Sequence, residues 1–66
     1  MNLTVNGENH SFEQDLSLAQ LLQRLELSQR RLAVERNGTV VPRSDFNRTA
    51  LCSGDVVEIV FAVGGG

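Results

Sequence analysis

The sequence contains no tryptophan, tyrosine or lysine, and cysteine, proline, histidine and methionine occur once each among its 66 residues. A lone thiol, Cys52, cannot close an intrachain disulfide. A small secreted domain usually needs several such bridges, so a reducing compartment, the cytoplasm, is expected. No stretch of about 18 apolar residues occurs, and the opening MNLTVNGENHSF lacks the basic start and apolar run of a secretory leader. Neither export nor a membrane partner is expected. Basic residues are scarce as well: six against eight acidic ones leave a net charge of −2, and the only doublet is Arg30-Arg31. That argues against nucleic acid, whose phosphates call for clustered cations. Neither a G-x-x-x-x-G-K-[ST] nor a G-x-G-x-x-G pattern is present, so the chain is not expected to bind ATP itself. A metal site needs three or four ligands, whereas Cys52 and His10 are single and lie in different elements. They read as a small buried thiol and a surface-strand imidazole, with no metal and no Cys-His nucleophile pair. A chain of 66 residues makes one domain that buries only about 60% of its unfolded surface, with little room for an enclosed catalytic cavity. Binding, or being bound, is the expected role, and not catalysis.

What is present is ordinary globular composition, 41% hydrophobic and 21% charged, so the chain should fold. Met1, Leu3 and Val5 alternate with Asn2, Thr4 and Asn6, the period of a strand with one buried face. Asn6-Gly7 suits a type I′ turn, which returns residues 8–13 as an antiparallel strand. Ser17 and Gln20 form a capping-box pattern, and Leu18, Leu21, Leu22 and Leu25 follow as one apolar helical stripe. After a polar loop at residues 28–31, residues 32–36 and 39–41 flank Asn37-Gly38, a second hairpin signal. Pro42 ends that strand because it has no N–H to donate. Residues 43–53 show no clear period and are expected to be irregular, with a short helical turn around Asp45 and Phe46. Gly54-Asp55 then turns into residues 56–63, a β-branched and nearly continuously apolar run that suits a central strand flanked on both sides.

The order is therefore β-β-α-β-β-β with the most apolar strand last, and that strand belongs in the middle of the sheet and not at its edge. The fold class is α+β: a single β-grasp (ubiquitin-like) domain over residues 1–63, a mixed sheet with one main helix on one face. One helix leaves the other face bare. Either Val56, Val60 and Ala62 or Val57, Ile59 and Phe61 must point away from it, and an exposed apolar set of that kind marks protein docking. The pattern of residues leaves both sets open.

Gly64-Gly65-Gly66 follows directly on the last strand. Three residues without Cβ form a flexible tail, residues 64–66, beyond the domain. At about 3.3 Å per extended residue such a tail reaches roughly 10–14 Å, far enough to enter a narrow channel that admits no side chains. What it carries there is an unhindered carboxylate, ionised at neutral pH.

The whole chain resembles the ubiquitin-like, β-grasp sulfur carriers, in particular those of thiamine thiazole biosynthesis. The resemblance lies in Val34-Glu35-Arg36-Asn37, Val41-Pro42-Arg43, Gly54-Asp55 and Val57-Glu58-Ile59-Val60, then Val63-Gly64-Gly65-Gly66, in that order and spacing. It implies a protein substrate and not an enzyme. An E1-like adenylyltransferase would use ATP to convert the Gly66 carboxylate to an acyl-adenylate. A sulfur donor, such as a cysteine desulfurase persulfide, would displace AMP to leave a thiocarboxylate, and thiazole synthase would take the sulfur. The resemblance makes Gly66 the modified residue and Gly65 and Gly64 the tail that threads the partner's active site. It also makes Pro42 and Arg43 candidate partner contacts, although a strand end followed by a solvated Arg is the plainer reading of Val41-Pro42-Arg43; Phe61, from the alternate apolar sets of the last strand, is a third candidate contact. The small subunit of molybdopterin synthase is the alternative within the same chemistry. A ubiquitin-like modifier is the alternative outside it, disfavoured because a chain without lysine cannot build isopeptide chains on itself.

Overall fold

The computed structural model describes residues 1–62. Strands β1 (Asn2–Val5) and β2 (Glu8–Ser11) form an antiparallel hairpin. Its turn residues Asn6 and Gly7 take φ of 48° and 83°, the positive pair that a type I′ turn requires. Pairing continues past β2 to Phe12, whose N–H donates to the Met1 carbonyl at 2.8 Å. Met1 opposite Phe12 is the last pair, so the return strand is shorter than the expected residues 8–13.

Helix α1 (Leu18–Arg24) starts as its sequence demands. Ser17 Oγ accepts from the Gln20 N–H at 3.1 Å, and Gln20 Oε1 accepts from the Ser17 N–H at 2.8 Å. Two turns of helix are not stable alone. The capping box and the burial of Leu18, Leu21 and Leu22 against the sheet hold them. At the other end the Leu27 N–H bonds the Leu22 carbonyl at 2.7 Å and the Glu26 N–H bonds that of Gln23 at 3.0 Å, with Glu26 at φ 61°. This is a Schellman closure that puts a glutamate where glycine is usual.

Strands β3 (Leu32–Arg36) and β4 (Thr39–Val41) form the second hairpin, with Asn37 and Gly38 at φ 52° and 85°. Residues 43–53 are more ordered than expected. Pro42 opens a 3₁₀ helix over Arg43–Arg48, which buries Phe46 in the core. The stretch after it is bonded to the start of α1, Leu18 N–H to Thr49 carbonyl at 2.8 Å and Leu51 N–H to Leu16 carbonyl at 2.9 Å. The absence of a period there reflects a segment that inserts single side chains into the core and has no buried face of its own.

Strand β5 (Val56–Phe61) lies in the middle of the sheet, whose order is β2-β1-β5-β3-β4. It runs parallel to β1 and antiparallel to β3. Strands flank it on both sides, yet only one of its faces is covered: Val57 and Ile59 are buried, while Val56 and Val60 are 43% and 58% exposed. The apolar run in the sequence therefore does not mean burial on both faces, because a single helix covers a single face. The strand ends at Phe61, short of residue 63, and the Ala62 N–H donates to the Arg31 carbonyl at 3.1 Å. The expected domain end at residue 63 and the tail of residues 64–66 lie outside the described residues.

Both turn asparagines also serve β5. Asn6 accepts from the Ile59 N–H at 2.6 Å and donates to the Ile59 carbonyl at 3.1 Å. Asn37 Oδ1 accepts from the Val56 N–H at 2.8 Å. Each side chain occupies a place that a neighbouring strand's peptide would otherwise fill. Asn6→Gly keeps the positive φ and removes both bonds to Ile59, so it should cost about 1–3 kcal/mol. Asn6→Ala adds roughly 1 kcal/mol for forcing a Cβ into the left-handed region. Urea midpoints should fall in the order wild type, Gly, Ala at unchanged m value. A Gly variant as stable as wild type would show that the side-chain bonds contribute nothing.

Candidate functional site

The covered and open faces of β5 follow from its register. Val57, Ile59 and Phe61 turn toward α1, whereas Val56, Glu58 and Val60 turn away. On the open face Ala33 of β3 pairs with Val60, and Glu35 lies between Glu58 of β5 and Val40 of β4. Val40, Val56 and Val60 are the exposed large hydrophobic residues among those described. Of the two alternate sets open to the sequence, the structure selects the one with Val56 and Val60; Ala62 lies exposed beyond the strand end. The patch is apolar with an acidic centre. Glu35 and Glu58 are direct cross-strand neighbours, an arrangement that like charges disfavour unless a cation comes between them. An apolar surface around two carboxylates suits a partner that presents apolar side chains and a basic one.

Pro42, Arg43 and Phe61 are not on that face. Pro42 is exposed at the entry to the 3₁₀ helix, and its carbonyl accepts from the Asp45 N–H at 2.9 Å. The Arg43 guanidinium stands 5.8 Å from the Phe46 ring centroid. Phe61 is half-buried on the helix side, with the Arg30 guanidinium 4.9 Å from its ring. Arg43 and Phe61 thus belong to the helix side of the molecule, where the sequence offered no reason to include Arg30. His10 sits in β2, stacked on Phe12 at 6.3 Å between ring centroids.

Cys52 differs from its expectation: it is exposed, not buried. Arg36 Nη2 lies 3.7 Å from its Sγ. Both belong to a polar knot around Asp55, which is buried at the start of β5. Asp55 accepts from Arg36 Nε at 2.9 Å, from Asn37 Nδ2 at 3.0 Å and from the Cys52 N–H at 2.8 Å. Burial works to raise its pKa, but the Cys52 N–H, the Asn37 amide and the Arg36 guanidinium outweigh that and hold it below the ordinary 3.8. The knot ties the loop before β5 to the β3–β4 turn. It lies at the end of β5 opposite Ala62, separated from it by roughly 20 Å of strand. The sequence carried no sign of it beyond an Asp after Gly54, since Arg36 and Asp55 are far apart in the chain.

The depressed value fixes the sign of a pH dependence. An unfolded Asp titrates near 3.9, and a folded one held lower contributes stability above that value that is lost as pH falls through its folded pKa. Asp55→Asn should cost about 1–3 kcal/mol at neutral pH. The gap between it and wild type, read from urea melts, should shrink on acidification below about pH 4. A gap that stays constant down to pH 2 would show that the ionised carboxylate contributes nothing.

Gly64, Gly65 and Gly66 follow β5 in the sequence and lie outside the described residues. No helix among the described residues is long and apolar enough to cross a membrane. The chain is 35% identical over 65 residues to the sulfur carrier protein ThiS of Bacillus subtilis (strain 168), covering 97% of this chain and 98% of that one. It is 41% identical over 66 residues to a thiazole synthase of Paramagnetospirillum magneticum, where all of this chain spans 20% of the relative's length. The crystal structure of the thiamine biosynthesis protein ThiS from Geobacter metallireducens shares the fold with a TM-score of 0.86 at 39% identity over 100% of both chains. The ThiS family model matches residues 3–66. With sequence match and fold in agreement along its length, the chain belongs to the ThiS family, the ubiquitin-like β-grasp sulfur carriers that its sequence resembles.

Proposed function

We propose that this chain is a sulfur carrier of thiamine biosynthesis, a substrate of its partner enzymes and not an enzyme, with the Gly66 carboxylate as the group that carries sulfur. The observation behind this is that the family match runs through residue 66 and so includes the glycines that follow β5. A carboxylate is a poor electrophile until one oxygen becomes part of a good leaving group. An E1-like adenylyltransferase meets that need: Gly66 attacks the α-phosphorus of ATP, pyrophosphate leaves, and an acyl-adenylate forms. The terminal sulfur of a donor persulfide, such as that of a cysteine desulfurase, then attacks the acyl carbon and expels AMP. Cleavage of the S–S bond by a thiol frees the thiocarboxylate, a soft nucleophile that passes its sulfur to thiazole synthase. The thiazole synthase of Paramagnetospirillum magneticum supports that last partner, since a stretch of it resembles this whole chain. The open face of Val40, Val56 and Val60 around Glu35 and Glu58 is the surface on which a partner docks while Gly64, Gly65 and Gly66 enter its active site. No ATP site is needed on the carrier itself.

Two tests address this reading. One residue appended after Gly66 moves the carboxylate about one residue length, 3.3 Å, past the position an adenylating site would hold. ATP–pyrophosphate exchange with the purified adenylating enzyme should be lost. Gly65→Val should impair it as well, because a β-branched side chain removes backbone conformations and adds bulk. Thermal melts of both proteins should match wild type within about 0.5 kcal/mol. Unchanged exchange in the extended protein would remove Gly66 from its role. The second test concerns Cys52, which the fold places at the far end of β5 from Ala62. Cys52→Ser should still acquire sulfur, seen by intact mass as replacement of one oxygen. A serine variant that is adenylated normally but never gains sulfur would make Cys52 a relay thiol.

A further inference from the structure

On the helix side, a concavity lies between the end of α1, β3 and the 3₁₀ helix. It is a shallow groove of about 280 Å³ with Leu22, Leu27, Leu32 and Phe46 in its wall and Arg30 and Arg43 beside them. None of its lining residues among those described is acidic. The two cations are held in place: Arg30 lies over the ring of Phe61 and Arg43 over that of Phe46, both within cation–π range. The ion pairs among the described residues take Arg36 and Arg48, and neither Arg30 nor Arg43 has a carboxylate partner there. On a chain of net charge −2, the groove is thus a local positive site with an apolar wall.

We propose that this groove is a second docking site, which takes an acidic segment of a protein partner that also carries a leucine or phenylalanine. The carboxylates accept from the guanidinium N–H groups of Arg30 and Arg43, and the apolar side chain covers Leu27, Leu32 and Phe46. Its volume falls just below the roughly 300–1,000 Å³ of small-molecule pockets. A shallow groove of that size suits one or two side chains of a protein segment better than an enclosed ligand. Position gives the site its use. Arg31, next to Arg30, accepts from the Ala62 N–H, so an occupant of the groove sits beside the point where β5 leads into residues 63–66. It would share the work of holding the carrier with the open sheet face, whose charge is of the opposite sign. This use rests on the sulfur-carrier reading; the groove's preference for an acidic, apolar segment does not.

The test measures the affinity of the purified chain for its adenylating enzyme and for thiazole synthase by calorimetry. The variants are Arg30→Gln with Arg43→Gln and Arg30→Glu with Arg43→Glu; both residues lie on the groove, and circular dichroism checks that each variant folds. The double Gln variant should weaken binding to at least one enzyme by about tenfold and the double Glu variant by more. Added salt should weaken the wild type more than the double Gln variant. Affinities within about twofold of wild type for both enzymes would overturn the proposal.

If the wild-type chain binds neither enzyme, the sulfur-carrier reading falls and the groove is decided separately. The isotope-labelled chain is then titrated with the peptide Asp-Leu-Glu-Phe-Asp. Saturable amide shifts confined to residues 19–32 and 43–47, absent in the double Gln variant, support the site. No saturable shift overturns it, and the same shifts produced by inorganic phosphate alone overturn a protein segment in favour of a small anion.

Discussion

The insertion of β5 between β1 and β3 is the constraint on which the rest of the molecule depends. Without it the chain is two hairpins and a two-turn helix, none of which is stable in isolation. With it, Val57 and Ile59 enter the core beside Leu3, Val5 and Val34, each buried side chain worth about 1.5–3 kcal/mol. The strand closest to the C-terminus thus joins elements from both halves of the chain. Parallel pairing with β1 is long-range, so these contacts come at the entropic cost of closing nearly the whole chain.

Polar groups reinforce that insertion at places where regular pairing is missing. Asn6 bonds both backbone groups of Ile59, and Asn37 bonds the N–H of Val56. Asp55 gathers Arg36, Asn37 and the Cys52 N–H just before the strand begins. No buried side-chain nitrogen or oxygen among the described residues lacks a partner. The start of β5 is therefore fixed by polar contacts, and its middle by the Asn6 bonds to Ile59 together with the burial of Val57 and Ile59. In the sequence its end is followed by Ala62, Val63 and then Gly64, Gly65 and Gly66.

Because one helix covers one side of a five-stranded sheet, the surface divides into unlike halves. One is an open sheet face, apolar with carboxylates at its centre. The other holds α1, the 3₁₀ helix and a groove flanked by arginines. A sulfur carrier that acts by being bound would need surfaces for recognition more than a pocket. A small domain that buries only a modest fraction of its surface has them in supply. The two halves differ in charge, so they can be read by partners of different character.

The sequence by itself determined what depends on neighbours in the chain. The Asn6-Gly7 and Asn37-Gly38 turns, the Ser17–Gln20 capping box and the Leu18, Leu21, Leu22 stripe are set by backbone preference and short-range bonding, and each is found where its residues place it. Even the central position of β5 was readable, because an edge is a poor place for so apolar a strand. The family was readable too, from short stretches whose order runs to Gly66. Only the tertiary structure decided which face of β5 is open, where β2 and β5 stop, and how residues 43–53 fold onto α1. It alone brought Arg36 to Cys52 and Asp55, and Arg30 to Phe61. These contacts join residues distant in the chain, and a side chain's exposure depends on what packs over it. Neither property has a local signature, which is why Cys52 reads as a buried thiol in the sequence and stands exposed beside an arginine in the fold.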